Sequence, residues 1–329
     1  MKVLQHKLSP QAIANVSGVI ESLEIGFGPN VSLFEQAFKD FSKKKHNIAV
    51  NSASAAAFMV FAYLQELFGE CDVYTPSLGF TSPTWAAEHF GHRVIFVDVN
   101  DNLLFDCKDY LKKSKLPEWR YPTGRKKVVM PILYGGVSTI PDWKLRGDEI
   151  VVVDAAHCPT PTLRGDFTFF SFHPTKPICS SDGGMLSTDD DVAADYFRSY
   201  RNFGRVSRLD SYDINQEGFK FYMNNLNATI ALESLKDYEK TLEIRKNNYM
   251  SLSSKFEGRF VEHDENSSFY FATLISNEAT KVNNAYQLAV HYPLLHLTKY
   301  YNRQRLQNTE KLHSKIVNLP LYDLNIYNS

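Results

Sequence analysis

Cysteine is scarce in this chain. Its four residues (Cys71, Cys107, Cys158 and Cys179) stand far apart, with no Cys-x-x-Cys pair. That spacing argues against a zinc site or a disulfide framework and predicts a reducing, cytoplasmic setting. No stretch approaches the roughly 18–20 uncharged apolar residues needed to cross a bilayer. The opening Met1-Lys2-Val3-Leu4-Gln5-His6-Lys7 carries no apolar core of the kind a secretion signal uses. An excess of either charge is also missing. Lys and Arg number 36 against 37 Asp and Glu, a net charge of −1, so the electrostatic footprint of a general nucleic-acid binder is absent. Internal repeats, low-complexity tracts and Gly/Pro-rich linkers are lacking too. What is present is 329 residues that are 43% hydrophobic and 13% aromatic. That is enough for a substantial core, and about right for a large catalytic domain with a smaller appendage.

The first two-thirds alternate short apolar runs with helical stretches, the pattern of a mostly parallel sheet sandwiched by helices. Strands are predicted at 47–50, 94–99, 127–134, 149–153, 167–172 and 184–187. They are β-branched and aromatic, and too short for buried helices. An Ala-rich helix is expected over 52–68, and Asp189 is expected to cap a helix running through Ala193 and Phe197. After about Leu226 one long helical period runs from 227 to roughly 256. Strand-like pieces follow at 268–275, 289–294 and 316–321. The reading is an α/β fold, with a large domain over 1–230, then a connecting helix and a small C-terminal α+β domain over 231–329.

In an open α/β sheet, ligands bind beyond the carboxyl ends of the strands. After 47–50 comes Asn51-Ser52-Ala53-Ser54, small hydroxyl residues opening a helix. A helix start offers free N–H groups and the positive end of a dipole, a seat for phosphate, although ordinary capping by Ser52 or Ser54 is the commoner reading of such residues. After 149–153 comes Asp154-Ala155-Ala156-His157, either a site acid or a capped turn with a hydrogen-bonded histidine. After 167–170 comes Ser171-Phe172-His173-Pro174-Thr175-Lys176, then Ser181-Asp182-Gly183-Gly184. A lysine between an aromatic strand and a Gly-Gly turn can be desolvated, which lowers its pKa and makes its amine nucleophilic. An acid, then about twenty residues on a Ser-x-x-x-x-Lys, with an earlier phosphate-type helix start, is a pyridoxal phosphate constellation. That cofactor needs a lysine amine, an anion beside its pyridine nitrogen and donors for its phosphate.

These residues resemble the DegT/StrS sugar aminotransferases, pyridoxal phosphate enzymes of fold type I, in sequence order through nearly the whole chain. Gly26-Phe27-Gly28-Pro29 with Phe34-Glu35 is similar to the family's opening. Val50-Asn51-Ser52-Ala53-Ser54-Ala55-Ala56 resembles its phosphate segment, and Pro76-Ser77 through Phe80-Thr81 its "PSFTF" stretch. Val153-Asp154-Ala155-Ala156-His157 resembles "EDAAQ/H", the Lys176 segment "SFHATK", and Ser181-Asp182-Gly183-Gly184 "GEGG". Arg201-Asn202-Phe203-Gly204 and Gly218-Phe219-Lys220-Phe221-Tyr222-Met223 match two further motifs. His291-Tyr292-Pro293-Leu294-Leu295-His296 and Asn318-Leu319-Pro320-Leu321 close the series.

The resemblance implies that Lys176 holds the cofactor through its amine and then moves the proton, while Asp154 pairs with the pyridinium nitrogen. Phe80 would stack on the ring. His157 would lie near the opposite face or the phenolic oxygen. Ser54, the N–H groups of Ala53 and Ser54, and Ser171 would hold the phosphate. Lys220, where the family has asparagine, would reach the phosphate of the neighbouring subunit of a homodimer with shared active sites. His291 and His296 would line the sugar pocket, and Arg201 and Arg205 are candidates for a nucleotide diphosphate. No metal is implied. Ala53-Ser54 loses a glycine of the family pattern, Asp182 is shorter than its glutamate, and Phe203 replaces a histidine. The stretch between 276 and 289 leaves little room for the family's usual helix. Lys176 also separates the chain from dehydrating relatives, which carry histidine there. The expected activity moves an amino group from an amino acid, L-glutamate, to a nucleotide-linked keto-deoxysugar. Two alternatives stand beside it: an aminotransferase of a free cyclic ketone of aminocyclitol type, or a catalytically inactive cofactor-binding homologue.

Overall fold

The structure is a computed structural model, and it describes residues 9–115, 124–140, 148–161, 163–206, 213–286, 288, 292–301 and 305–322. Helices α1 (Pro10–Ser22) and α2 (Pro29–Ser42) lead to strand β1 (His46–Val50). Then follow α3 (Ala53–Phe68), β2 (Asp72–Pro76), α4 (Ser82–His89), β3 (Arg93–Val97), α5 (Cys107–Lys113) and β4 (Lys127–Val129). Strands β5 (Ile150–Asp154), β6 (Phe167–Ser171) and β7 (Gly184–Thr188) complete a seven-stranded sheet of order β1-β7-β6-β5-β4-β2-β3. The run from β3 to β6 is parallel, and β7 lies antiparallel to both β6 and β1.

Alternation along the strands explains why helices cover both faces. Ile48, Val50, Phe167 and Phe169 pack with α3, α4 and helix α6 (Asp191–Tyr200). Ala49, Phe170 and Met185 turn the other way, toward α2 and helix α7 (Asn225–Lys236). A sheet buried on both sides takes such apolar strands. Strand β2 did not stand out in the sequence, because Asp72 opens it and Pro76 closes it; its backbone nevertheless pairs on both sides. The cap expected at Asp189 belongs to Asp190, whose carboxylate accepts from the Ala193 N–H at 3.0 Å. Asp189 accepts instead from Lys45 N and Lys44 Nζ, which ties down the start of β1.

The long helix expected over 227–256 is two, α7 and α8 (Tyr238–Lys255), broken at Asp237. Residue 230, the expected domain limit, falls inside α7, whose Ala228 and Ala231 belong to the core beneath the large sheet. Beyond α8, strands β8 (Arg259–Phe260), β9 (Phe271–Ile275) and β10 (Ile316–Pro320) form a small antiparallel sheet of order β10-β9-β8. Helix α9 (Ala279–Ala285) fits into the stretch that looked too short for one, and α10 (Gln307–His313) precedes β10. No helix among the described residues is long and apolar enough to cross a membrane.

Candidate active site

Asp154 is the last residue of β5, and Lys176 sits in the turn that follows β6, the neighbouring parallel strand. The sheet therefore brings together two side chains that lie 22 positions apart. Both are buried, at 5% and 7% exposure. Loss of water dominates each. It pushes the Asp154 carboxyl up to about 6, against the Ala156 N–H that donates to it at 3.0 Å and the Lys176 charge. It pulls the Lys176 ammonium down to about 7, against the opposing pull of Asp154. Such a lysine has an amine that is substantially unprotonated near neutrality, as a nucleophile or proton carrier requires. The turn is built locally: Lys176 N donates to His173 O at 2.8 Å, and the His173 ring meets Thr175 Oγ1 at 2.9 Å.

The phosphate-type helix start also has a definite construction. Ser52 is the N-cap of α3, accepting from the Ala55 N–H at 3.1 Å, so capping is the work of this serine. Ser54 does not cap; its hydroxyl donates to Ser82 Oγ at 2.8 Å. The N–H groups of Ala53 and Ser54 open the helix, where no intrahelical acceptor exists. Gly184 lets β7 press against this start, since a Cβ there would come within 2.6 Å of Ala53 N. Ser171 ends β6 beside it, half-buried. Buried amine, buried acid, hydroxyls and free helix N–H groups are the donor set that pyridoxal phosphate needs, and here they share one edge of one sheet.

His157, buried, has Nε2 2.9 Å from the Tyr292 hydroxyl, while the Gly135 N–H approaches Nδ1 at 3.4 Å. Phe80 is 57% exposed, its ring 6.1 Å from that of Tyr292. Lys220 is exposed, and its backbone carbonyl accepts from Asn51 beside the α3 start. His291 lies outside the described residues.

Two expectations are corrected. His296 does not line a pocket. It is fully buried, with Nδ1 2.6 Å from Ser77 Oγ and Nε2 3.1 Å from Glu310 Oε1. With both nitrogens engaged, it joins the end of β2 to α10. Arg201 is neither solvated nor open to a diphosphate. It is 5% exposed, ion-paired with Glu35, and donates to Ala49 O at 2.6 Å. Arg205 lies close by, half-buried, its guanidinium 5.2 Å from the Phe203 ring.

Sequence reasoning missed Tyr270, just before β9. Its ring centre is 4.4 Å from Lys176 Nζ and 4.4 Å from the His157 ring, and its hydroxyl donates to Thr175 Oγ1 at 3.1 Å. Tyr270 lies 94 positions from Lys176, in a stretch that read only as strand, so no local spacing could reveal the contact. Among the described residues no group of three or more His, Cys, Asp or Glu side chains could hold a metal ion.

The chain resembles known proteins along nearly its whole length. It is 29% identical to the spore coat polysaccharide biosynthesis protein SpsC of Bacillus subtilis, covering 96% of this chain and 90% of that one. Helicobacter pylori PseC, an aminotransferase involved in the biosynthesis of pseudoaminic acid, superposes with a TM-score of 0.86 at 18% identity, over 99% of this chain and 96% of PseC. The PLP form of the putative sugar aminotransferase Spr1654 from Streptococcus pneumoniae gives 0.82 at 20% identity, over 100% and 96%. Residues 7–325 match one family from end to end: the chain belongs to the DegT/DnrJ/EryC1/StrS aminotransferase family.

Proposed function

We propose that this protein is a pyridoxal phosphate-dependent sugar aminotransferase that takes nitrogen from an amino acid, L-glutamate, and gives it to a nucleotide-linked keto-deoxysugar. The observation that carries the reading is the buried Lys176–Asp154 pair at the carboxyl ends of β5 and β6, in a chain that matches an aminotransferase family throughout. When bound, the cofactor supplies an electron sink for the carbon–hydrogen bond that breaks next to nitrogen.

The residues divide the remaining work. Asp154, ionised above about pH 6, supplies the anion for the ring nitrogen. Lys176 Nζ accepts and returns a proton, which its midpoint near 7 permits in both directions. The Ser54 hydroxyl, the first N–H groups of α3 and Ser171 suit a phosphate. His157 and Phe80 would flank the cofactor ring. Lys220, exposed at the α3 start, fits the role of a cation offered to the phosphate of a second subunit, so the working form is a homodimer in the cytoplasm. Arg205, half-buried beside the Phe203 ring, is a candidate for the nucleotide diphosphate.

Full-length protein is loaded with pyridoxal phosphate and mixed with L-glutamate. The expected result is loss of the visible absorbance as nitrogen moves to the cofactor, with one 2-oxoglutarate formed per site. Loaded protein in the amine form is then offered thymidine-, uridine- and guanosine-linked keto-sugars and a free cyclic ketone, with product structure read by NMR. No spectral change with any amino acid overturns the activity. Turnover of the free ketone alone overturns the nucleotide-linked substrate.

A further inference from the structure

Arg245, on α8, is 1% exposed, and no carboxylate among the described residues pairs with it. Its Nη1 donates to the backbone carbonyls of Phe269 at 3.2 Å and Tyr270 at 3.4 Å, while Nε and Nη2 are buried without a partner among the described residues. Burying a cation this deeply is unfavourable unless its remaining contacts matter. What it grips is an unusual stretch of backbone, because Phe269 has φ +50, the left-handed region that residues other than glycine avoid. The opposite side of the same stretch is pinned too. Ser268 N donates to Gly136 O at 2.8 Å, and Ser268 Oγ donates to His157 O at 2.6 Å. Gly136, at φ +87, allows this approach, since a Cβ there would stand 2.6 Å from Tyr270 N. Tyr270 is thus clamped between Arg245 behind it and the Gly136–His157 turns in front.

We propose that Tyr270 is a positioning residue for the Lys176 amine, and that Arg245 is the buried clamp that fixes Tyr270 in place. The ring face at 4.4 Å holds Nζ by cation–π attraction, and the hydroxyl secures Thr175, the residue before the lysine. The small sheet thereby places one side chain against the reactive amine of the large one. Among the described residues, Asp154 and His173 also bear on this amine.

The proposal rests on Lys176 as the reactive amine, and its test is independent of turnover. Full-length protein freed of cofactor is trace-labelled with acetic anhydride across pH 5–10, and acetylation of the Lys176 peptide is read by mass spectrometry. Removing the ring in Tyr270→Leu takes away a contact that favours the charged amine, so the labelling midpoint falls by about one pH unit. Tyr270→Phe keeps the ring and the wild-type midpoint. Arg245→Met lowers the midpoint as Tyr270→Leu does, and Arg245→Lys restores it. Melting temperatures of the same samples identify any variant that has not folded, in which case Tyr270→Leu alone decides. A midpoint unmoved or raised in folded Tyr270→Leu overturns the proposal. Failure of the protein to take up pyridoxal phosphate, with the midpoints still moving as stated, would sink the functional reading and leave this one standing.

Discussion

The carboxyl edge of the large sheet is used in two ways. At β5 and β6 the strand ends present Asp154 and Ser171, with Lys176 just beyond, and among the described contacts the C-terminal part meets this side through Tyr270 and Tyr292. At β2 and β3 the corresponding positions are Ser77 and Asp98, and the chain's own C-terminal part covers them. Ser77 O accepts from Leu295 N, its hydroxyl meets His296, and the Asp98 carboxylate accepts from the N–H groups of Asn308 and Thr309. Both halves carry buried polar side chains at strand ends. The difference lies in what meets them: at the β2 and β3 socket, hydrogen bonds from Leu295, His296, Asn308 and Thr309; at β5 and β6, a lysine and an acid that loss of water draws toward their neutral forms.

Substitutions on each side sharpen this contrast. The largest effect is expected for Lys176→Ala, which lowers amino transfer by about 10³-fold or more; the half-reaction with glutamate measures it. Asp154→Asn follows, with about 10²–10³-fold lost from the same half-reaction. This variant also tests the charge argument in the cofactor-free chain. The folded Asp154 carboxyl titrates at about 6, against about 3.9 when unfolded. The folded state therefore holds that proton more tightly, and stability falls as pH rises from about 4 to 6. The folded Lys176 ammonium titrates at about 7, against about 10.4 unfolded, so stability climbs again between about 7 and 10. Buried His263, held down to about 4, pushes the other way over the same range, so the difference is what counts: in urea unfolding, wild-type stability minus that of Asp154→Asn should fall by roughly 2–3 kcal/mol as pH rises from about 4 to 6.

The socket should respond in the opposite sense. His296→Ala leaves Ser77 and Glu310 without their partner and opens a cavity, a loss of about 2–4 kcal/mol in urea unfolding, with the glutamate half-reaction nearly unchanged in protein that remains folded. A His296→Ala variant with full stability and lost activity would collapse the distinction between the two halves. The smallest effect is expected for Ser52→Ala, which removes the α3 cap and costs about 1 kcal/mol by thermal unfolding.

Most elements of the large sheet were readable because period-2 aromatic runs and an Ala-rich helix leave local marks. So was the site's own pair, because Asp154 and Lys176 each sit at the end of such a run and inside a family motif. Strand β2 was not, since its ends are an acid and a proline. The socket was not either: nothing local distinguishes His296, inside a motif that suggests a pocket, from a histidine locked between Ser77 and Glu310. Arg201 failed in the same way, because its partners Glu35 and Ala49 lie more than 150 positions earlier. Long-range partners decide whether a polar residue is occupied, and a single sequence does not display them.

The closure of β2 and β3 by residues 292–301 and 305–313 has a temporal meaning. During synthesis the strands that carry Asp154 and Lys176 emerge long before the segment that shuts the other half of the edge. A nascent or truncated chain that stops short of α10 exposes Ser77, Asp98 and the apolar floor around Leu78 and Val99. Such unfinished surfaces are what chaperones retain and proteases remove.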